Sequence, residues 1–270
     1  MHSQPEGDSM ILPPLITEEI IALNEAQRMN YINNVRLKNT EPWTPDIPWK
    51  PQLNIKAESY HPLTLFDGLI PVEKVPPNPN DFLPGEFVES PNGSWRYAHL
   101  KLHRGHSLMT WYGSKFGSVV FDGDVIIPAV YEKVGGYFRQ DPWMSFTPAE
   151  IMSFRGGIRA AKGRVVVAGL GLGHLLIEVS KKKSVKEIIL VEVSKEIVDW
   201  LLPRIEYHMK KEKLVQVIIG DAYEELPKLT ADVAVVDIFM NYGNNDRDVQ
   251  ELRQKSPNIK RLWGWGTARI

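Results

Sequence analysis

Three glycines and three acids carry the chemistry that can be read from this sequence. Val165-Val166-Val167 runs into Gly169-Leu170-Gly171-Leu172-Gly173, an apolar helical segment follows, and a second run, Ile188-Ile189-Leu190-Val191, ends on Glu192. Strand, glycine turn, helix, strand and acid are the layout of a nucleotide-binding βαβ unit. The glycines admit close backbone approach, and the acid accepts ribose hydroxyls. Two more acids end later apolar runs: Asp221 after 214–219 and Gly220, and Asp237 after 232–236. Ligands of a doubly wound sheet bind outside the carboxyl ends of its strands, so these positions converge on one cleft. The glycine spacing bears on the ligand. A dinucleotide fingerprint needs a third glycine three residues after the second, and His174 stands there instead. Asp221 could accept from an exocyclic adenine amine.

Elements of matching period surround these positions. Thr147-Pro148-Ala149-Glu150 reads as a capping box opening a helix that runs through Ile151, Phe154 and Ile158 to Ala161, with Gly163 as its stop. Ser194 can cap a helix whose Val198, Leu201, Leu202, Ile205 and Met209 form one apolar stripe, with a kink or early end expected at Pro203. A short helix is expected over 222–228, a polar helix over 245–255 and a fifth strand over 259–263. Alternating strands and helices imply an α/β fold with a doubly wound, Rossmann-like, mostly parallel sheet over 146–270.

Ahead of it, residues 91–145 alternate in short strands and read as a small antiparallel β region. Val119-Val120-Phe121, Asp122-Gly123 and Asp124-Val125-Ile126 suggest a two-residue hairpin. Fourteen of the chain's 20 prolines lie within residues 1–91, and residues 1–90 read as a proline-rich extension. One proline-free stretch there, 17–39, reads as a helix, and Trp43 and Trp49 are expected to pack an arm across the chain's own core. His99, His103 and His106 fall on both faces of a strand without a completing carboxylate, so no metal site is expected.

Composition narrows the classes. The chain has 270 residues, no cysteine and a net charge of −1, which excludes disulfides, thiolate metal sites and a cysteine nucleophile. The balanced charge gives no global pull toward nucleic acid, and Lys181-Lys182-Lys183 reads as a solvated helix end. Without a long apolar run or a secretory leader pattern, a cytoplasmic protein without a membrane role is expected.

With those residues in place, the sequence resembles the class I S-adenosylmethionine-dependent methyltransferases over 146–270. VVVAGLGLG stands as the first motif, VEVS with Glu192 as the second, IIGDAYEELP with Asp221 as the third and DVAVVDIF with Asp237 as the fourth. The resemblance implies S-adenosylmethionine as cofactor. Gly169, Gly171 and Gly173 would face its methionine and ribose, Glu192 would hold the ribose hydroxyls, and Asp221 with Ala222 would bind adenine. Asp237 would face the methionine end or the acceptor. Asp237 is the first candidate for a base and Tyr242 the second. The acceptor is expected to be a small molecule or protein rather than nucleic acid. The family's sheet usually has seven strands and only five are counted here, so a homo-oligomer could cover the open edge beyond the fifth. Trp263 and Trp265 are expected to pack that edge. A weaker resemblance is to the polyamine aminopropyltransferases, through VVFDGDVII and GDAYEELP. That family has an acid where Leu172 stands, and an acidic loop where IFMNYGNN stands. A non-catalytic module that keeps the fold is the third reading.

Overall fold

The computed structural model describes residues 25–27, 30, 37–73, 78–112, 115–239, 242–243 and 245–267. Most of the helix expected over 17–39 lies outside these. Among the described residues, nine strands precede the glycine-loop region: β1 (Glu41–Pro42), β2 (Gln52–Lys56), β3 (Phe87–Glu89), β4 (Trp95–Leu102), β5 (Ser107–Tyr112), β6 (Lys115–Phe121), β7 (Val125–Val134), β8 (Tyr137–Phe138) and β9 (Met144–Ser145). They form two sheets rather than one. The first runs β1-β2-β6-β5, with parallel pairing from β1 to β6. The second runs β3-β4-β7-β8, with β9 also on β7, and is antiparallel.

The hairpin expected at Asp122-Gly123 is absent. β6 and β7 belong to different sheets, and Gly123 does not take the positive φ that such a turn uses. Asp122 and Asp124 instead make a corner. Asp122 Oδ1 accepts from the Ala57 amide at 2.7 Å, and Asp124 Oδ1 accepts from the Arg104 amide at 2.9 Å. The proline-rich extension is correspondingly part of the fold, supplying β1, β2 and β3. Trp43 packs edge-on against Tyr60, and both Trp43 and Trp49 lie against the main core.

The remainder alternates: α1 (Pro148–Ser153), α2 (Arg155–Ala160), β10 (Gly163–Ala168), α3 (His174–Lys181), β11 (Val185–Glu192), α4 (Lys195–Ile205), β12 (Leu214–Ile219), α5 (Ala222–Glu225), β13 (Ala231–Val236), α6 (Asp246–Lys255) and β14 (Ile259–Gly264). The five strands are all parallel in the order β12-β11-β10-β13-β14. The chain leaves β10 in one direction and returns to its other side with β13, which puts the topological switch between those two strands. Buried Val165, Val167, Ile188 and Leu190 face one core, and Val166, Ala168, Ile189 and Val191 face the other, as a sheet covered on both faces requires. The first of these cores is continuous with that of the two N-terminal sheets. The fold is Rossmann-like, with an antiparallel and mixed β layer docked on it.

The single helix expected over 147–161 is two short ones meeting at Phe154. Gly156 and Gly157 weaken helix there. Gly157 is also where the segment presses on the sheet: a Cβ would sit 2.6 Å from both the Trp263 ring and Val235. Gly163 does not stop a helix but starts β10 at φ +66°. Pro203 lies within α4, which ends two residues later at Ile205.

Candidate functional site

Gly169 follows β10 directly and Asp237 follows β13. The Asp237 amide donates to the Ala168 carbonyl at 2.8 Å, and a Cβ on Gly169 (φ +93°) would lie 2.0 Å from the Asp237 carbonyl oxygen. Only glycine permits that approach, which brings the two strand ends together at the switch point. The loop closes with the Gly173 amide donating to the Leu170 carbonyl at 2.9 Å, and Gly173 (φ +86°) leads into α3.

Glu192 is held from both sides. One carboxylate oxygen accepts from the Leu170 amide at 2.8 Å and the other from the Ser194 amide at 2.9 Å. An ionised carboxylate has about four acceptor sites, so roughly one remains on each oxygen, spaced for a vicinal diol. Asp221 uses one oxygen to cap α5, accepting from the Tyr223 amide at 2.8 Å, and is otherwise exposed beside Ala222.

These residues line one cavity of about 1100 Å³, at the carboxyl ends of β10, β11, β12 and β13. Its wall includes Gly169, Gly171, Gly173, Glu192, Asp221, Ala222 and Asp237, so the sheet gathers every glycine and acid singled out in the sequence. Tyr242 is not on that wall; it packs edge-on against Trp265, 5.1 Å between ring centres. Trp263 packs on Gly157 as an edge residue should, whereas Trp265 turns to the cavity and its indole N–H donates to Ser153 Oγ at 2.8 Å.

Glu150 is the functional candidate that the sequence did not reveal. As a capping-box residue its carboxylate should return to the Thr147 amide. The Thr147 hydroxyl does accept from the Glu150 amide at 3.3 Å, but the carboxylate turns instead to Ser145, at 2.6 Å from its hydroxyl and 3.1 Å from its amide. That places it on the cavity wall, where burial raises its pKa to about 7 against the opposing hydrogen bonds from Ser145. Asp237 is raised further, to about 8, by burial first and then by the charges of Glu150 and Glu192. Among the described residues no hydrogen-bond donor meets its carboxylate. His174 opens α3 between the rings of Phe146 and Phe154, and burial lowers its pKa to about 4, so it adds no positive charge.

The cavity wall is therefore rich in carboxyl groups, two of which, Asp237 and Glu150, keep much of their proton near neutral pH. Glu132, Asp141, Glu150, Glu192, Asp221 and Asp237 line it, and the one arginine on the wall, Arg139, is already engaged by Glu132 at 3.7 Å. A dinucleotide's pyrophosphate would meet carboxyl groups here, whereas a cation would favour their ionised form.

No family model matches the chain, and no curated protein matches it. Solved structures do resemble it in part. A candidate RNA methyltransferase from Pyrococcus horikoshii is 24% identical over 44% of this chain and 59% of its own, with a TM-score of 0.33. Spermidine synthase from Thermotoga maritima is 14% identical over 66% of this chain and 61% of its own, with a TM-score of 0.35. A candidate S-adenosyl-L-methionine-dependent methyltransferase from Methanococcus maripaludis is 20% identical over 43% and 52%, with a TM-score of 0.31. The chain thus spans less than two thirds of each of these proteins. Its fold class rests on its own strand order, and its chemistry on the cavity.

Proposed function

We propose that the chain binds S-adenosylmethionine across the carboxyl ends of β10, β11 and β12 and transfers its methyl group to an acceptor held near Asp237. One observation carries this reading: an acid-lined cavity wrapped around the glycine loop at the switch point, where among the described residues the one arginine on the wall is paired with Glu132. The residues suit the cofactor. Gly171 leaves the loop open, since a Cβ there would approach only Met144 Sδ, at 3.8 Å. Glu192 offers two acceptor positions for the ribose, and Asp221 with Ala222 lies where adenine would extend. The cofactor supplies an electrophilic methyl group. Methyl transfer depends chiefly on alignment, so the chain's task is to orient donor and acceptor and exclude water. Asp237 would hold the positive end and take the acceptor's proton as the new bond forms.

A second reading, aminopropyl transfer, is favoured by one feature. The acids that the sequence lacks at Leu172 and after the fourth strand are supplied from elsewhere on the wall, by Glu132, Asp141 and Glu150. A cationic amine would suit them.

Calorimetry across pH tests the proposal. Free Asp237, with its pKa near 8, holds a proton at neutral pH, and a bound sulfonium favours the carboxylate. Binding should therefore release up to one proton, so that affinity rises up to about tenfold per pH unit below pH 8 and levels above it. The Asp237→Asn variant should lose this dependence between pH 7 and 8, keeping below pH 7 only the part that Glu150, with its pKa near 7, contributes. Tighter binding of NAD than of S-adenosylmethionine would contradict the reading. Tighter binding of decarboxylated S-adenosylmethionine would transfer support to the second.

A further inference from the structure

The carboxyl groups of the cavity leave one need of the proposed cofactor unmet. The methionine end of S-adenosylmethionine carries a carboxylate beside its ammonium and sulfonium. Placed among acids without a cation of the protein, that carboxylate would be bound at a heavy cost. Among the described wall residues the positive charge comes from Arg139 alone, because burial keeps His174 neutral.

The segment that carries Arg139 is anchored over the glycine loop. Arg139 follows β8, and its amide donates to the Glu132 carbonyl of β7 at 3.0 Å. Further on, the Trp143 amide donates to the Val130 carbonyl at 2.8 Å, and Met144 pairs with Val130. Both ends of segment 139–144 thus hang from β7, at Glu132 and at Val130, roughly 7 Å apart along the strand. Met144 stands over the loop, its sulfur 3.8 Å from where a Cβ on Gly171 would be. Arg139 therefore starts within a long side chain's reach of the glycines.

Its guanidinium is only partly engaged. Nε lies 3.7 Å from Glu132 Oε2, beyond hydrogen-bond range, and the terminal nitrogens meet no acceptor among the described residues. Those nitrogens form the edge that grips a carboxylate through two parallel hydrogen bonds.

We infer that Arg139 takes the methionine carboxylate of S-adenosylmethionine on that edge, and so sets the preference of the site for S-adenosylmethionine over its decarboxylated form. The inference rests on the cofactor reading above. One guanidinium already facing Glu132 suffices for this ligand and not for a dinucleotide. A pyrophosphate brings two negative charges and no cation, whereas the methionine end brings its own ammonium for the surrounding acids. The aminopropyl donor of the second reading has lost the carboxylate and gains nothing from Arg139. The competing donors are the first amides of α3, which opens at His174 beside the loop.

Calorimetry on the full chain with three nucleosides separates these cases. The wild type should bind S-adenosylmethionine more tightly than decarboxylated S-adenosylmethionine. Arg139→Gln should weaken S-adenosylmethionine at least about tenfold, as loss of a charged hydrogen bond does. It should not weaken the decarboxylated form, which loses only a repelling charge. Methylthioadenosine, without the amino-acid end, should bind both proteins alike. Arg139 is 44% exposed, so the variant should keep the wild-type melting temperature. If Arg139→Gln weakens S-adenosylmethionine and its decarboxylated form equally, or weakens neither, Arg139 does not hold the carboxylate, while the cofactor reading stands. A wild type that binds neither, or prefers the decarboxylated form, overturns the methyl-transfer reading itself and the inference with it.

Discussion

Glu192→Ala is expected to weaken S-adenosylmethionine binding by at least about a hundredfold. A hydrogen bond to a charged acceptor contributes about 1.5–3 kcal/mol, and Glu192 offers acceptor positions to two ribose hydroxyls. The substitution also releases the Leu170 and Ser194 amides, which the carboxylate holds from opposite sides. Glycine loop and second strand would then lose their common anchor, so the loop would be ordered less well before ligand arrives. Isothermal titration of the purified variant reads the change directly, and its circular dichroism should match wild type because the Glu192 side chain is not part of either core. A loss smaller than threefold would remove Glu192 from the ribose site.

The second large effect falls on stability. Gly169→Ala places a side chain where φ is +93° and where a Cβ would lie 2.0 Å from the Asp237 carbonyl oxygen. The left-handed backbone alone costs about 1–2 kcal/mol for a residue with a Cβ. The clash is with backbone, so it cannot be relieved by a rotamer change; β10 and β13 must separate at their ends. A total near 4 kcal/mol belongs with the most damaging single substitutions, and for a chain of this size it lowers the melting temperature by roughly 10 °C. Gly171→Ala gives the contrast. Its nearest neighbour would be Met144 Sδ at 3.8 Å, so only the backbone term applies and the melting temperature should fall by no more than a few degrees. Equal effects at the two glycines would show that the close approach of Gly169 to Asp237 is unimportant.

The parts legible in the sequence were those fixed by local period and by chain order. From Thr147 onward, β-branched runs and helical stripes alternate within short windows, and the strand-end rule then places Gly169, Glu192, Asp221 and Asp237 in one cleft without knowledge of a single contact. What was missed depends on partners distant in sequence. Asp122-Gly123 between two apolar runs is a sound local turn signal, yet β6 pairs with β2 and β5 while β7 pairs with β4, so the turn became a corner between sheets. Glu150 carries a capping-box signature, but Ser145 on β9 captures its carboxylate and aims it at the cavity. Trp265 lies near the described C-terminal end like a packing residue, and its direction is set by Ser153 far earlier in the chain. The same cause explains why the acid-rich lining of the cavity was hidden. Glu132 and Asp141 come from the β layer, and only the docking of that layer on the Rossmann-like sheet brings them to Glu192 and Asp237.

That docking also gives the β layer its role at the site. Tyr60 donates its hydroxyl to the Phe146 carbonyl at 2.5 Å, and Phe66 stacks obliquely on Trp200 of α4 at 5.4 Å. The strap from β9 to α1, which carries Ser145, Phe146 and Glu150, is thereby fixed over the glycine loop.

The most direct measurement is a crystal structure with S-adenosylhomocysteine soaked or co-crystallised. The ribose hydroxyls should lie on Glu192, the adenine beside Asp221 and Ala222, and the sulfur should turn toward Asp237 between the glycine loop and Glu150. A nucleoside seated elsewhere, or with its ribose away from Glu192, would contradict the cofactor reading.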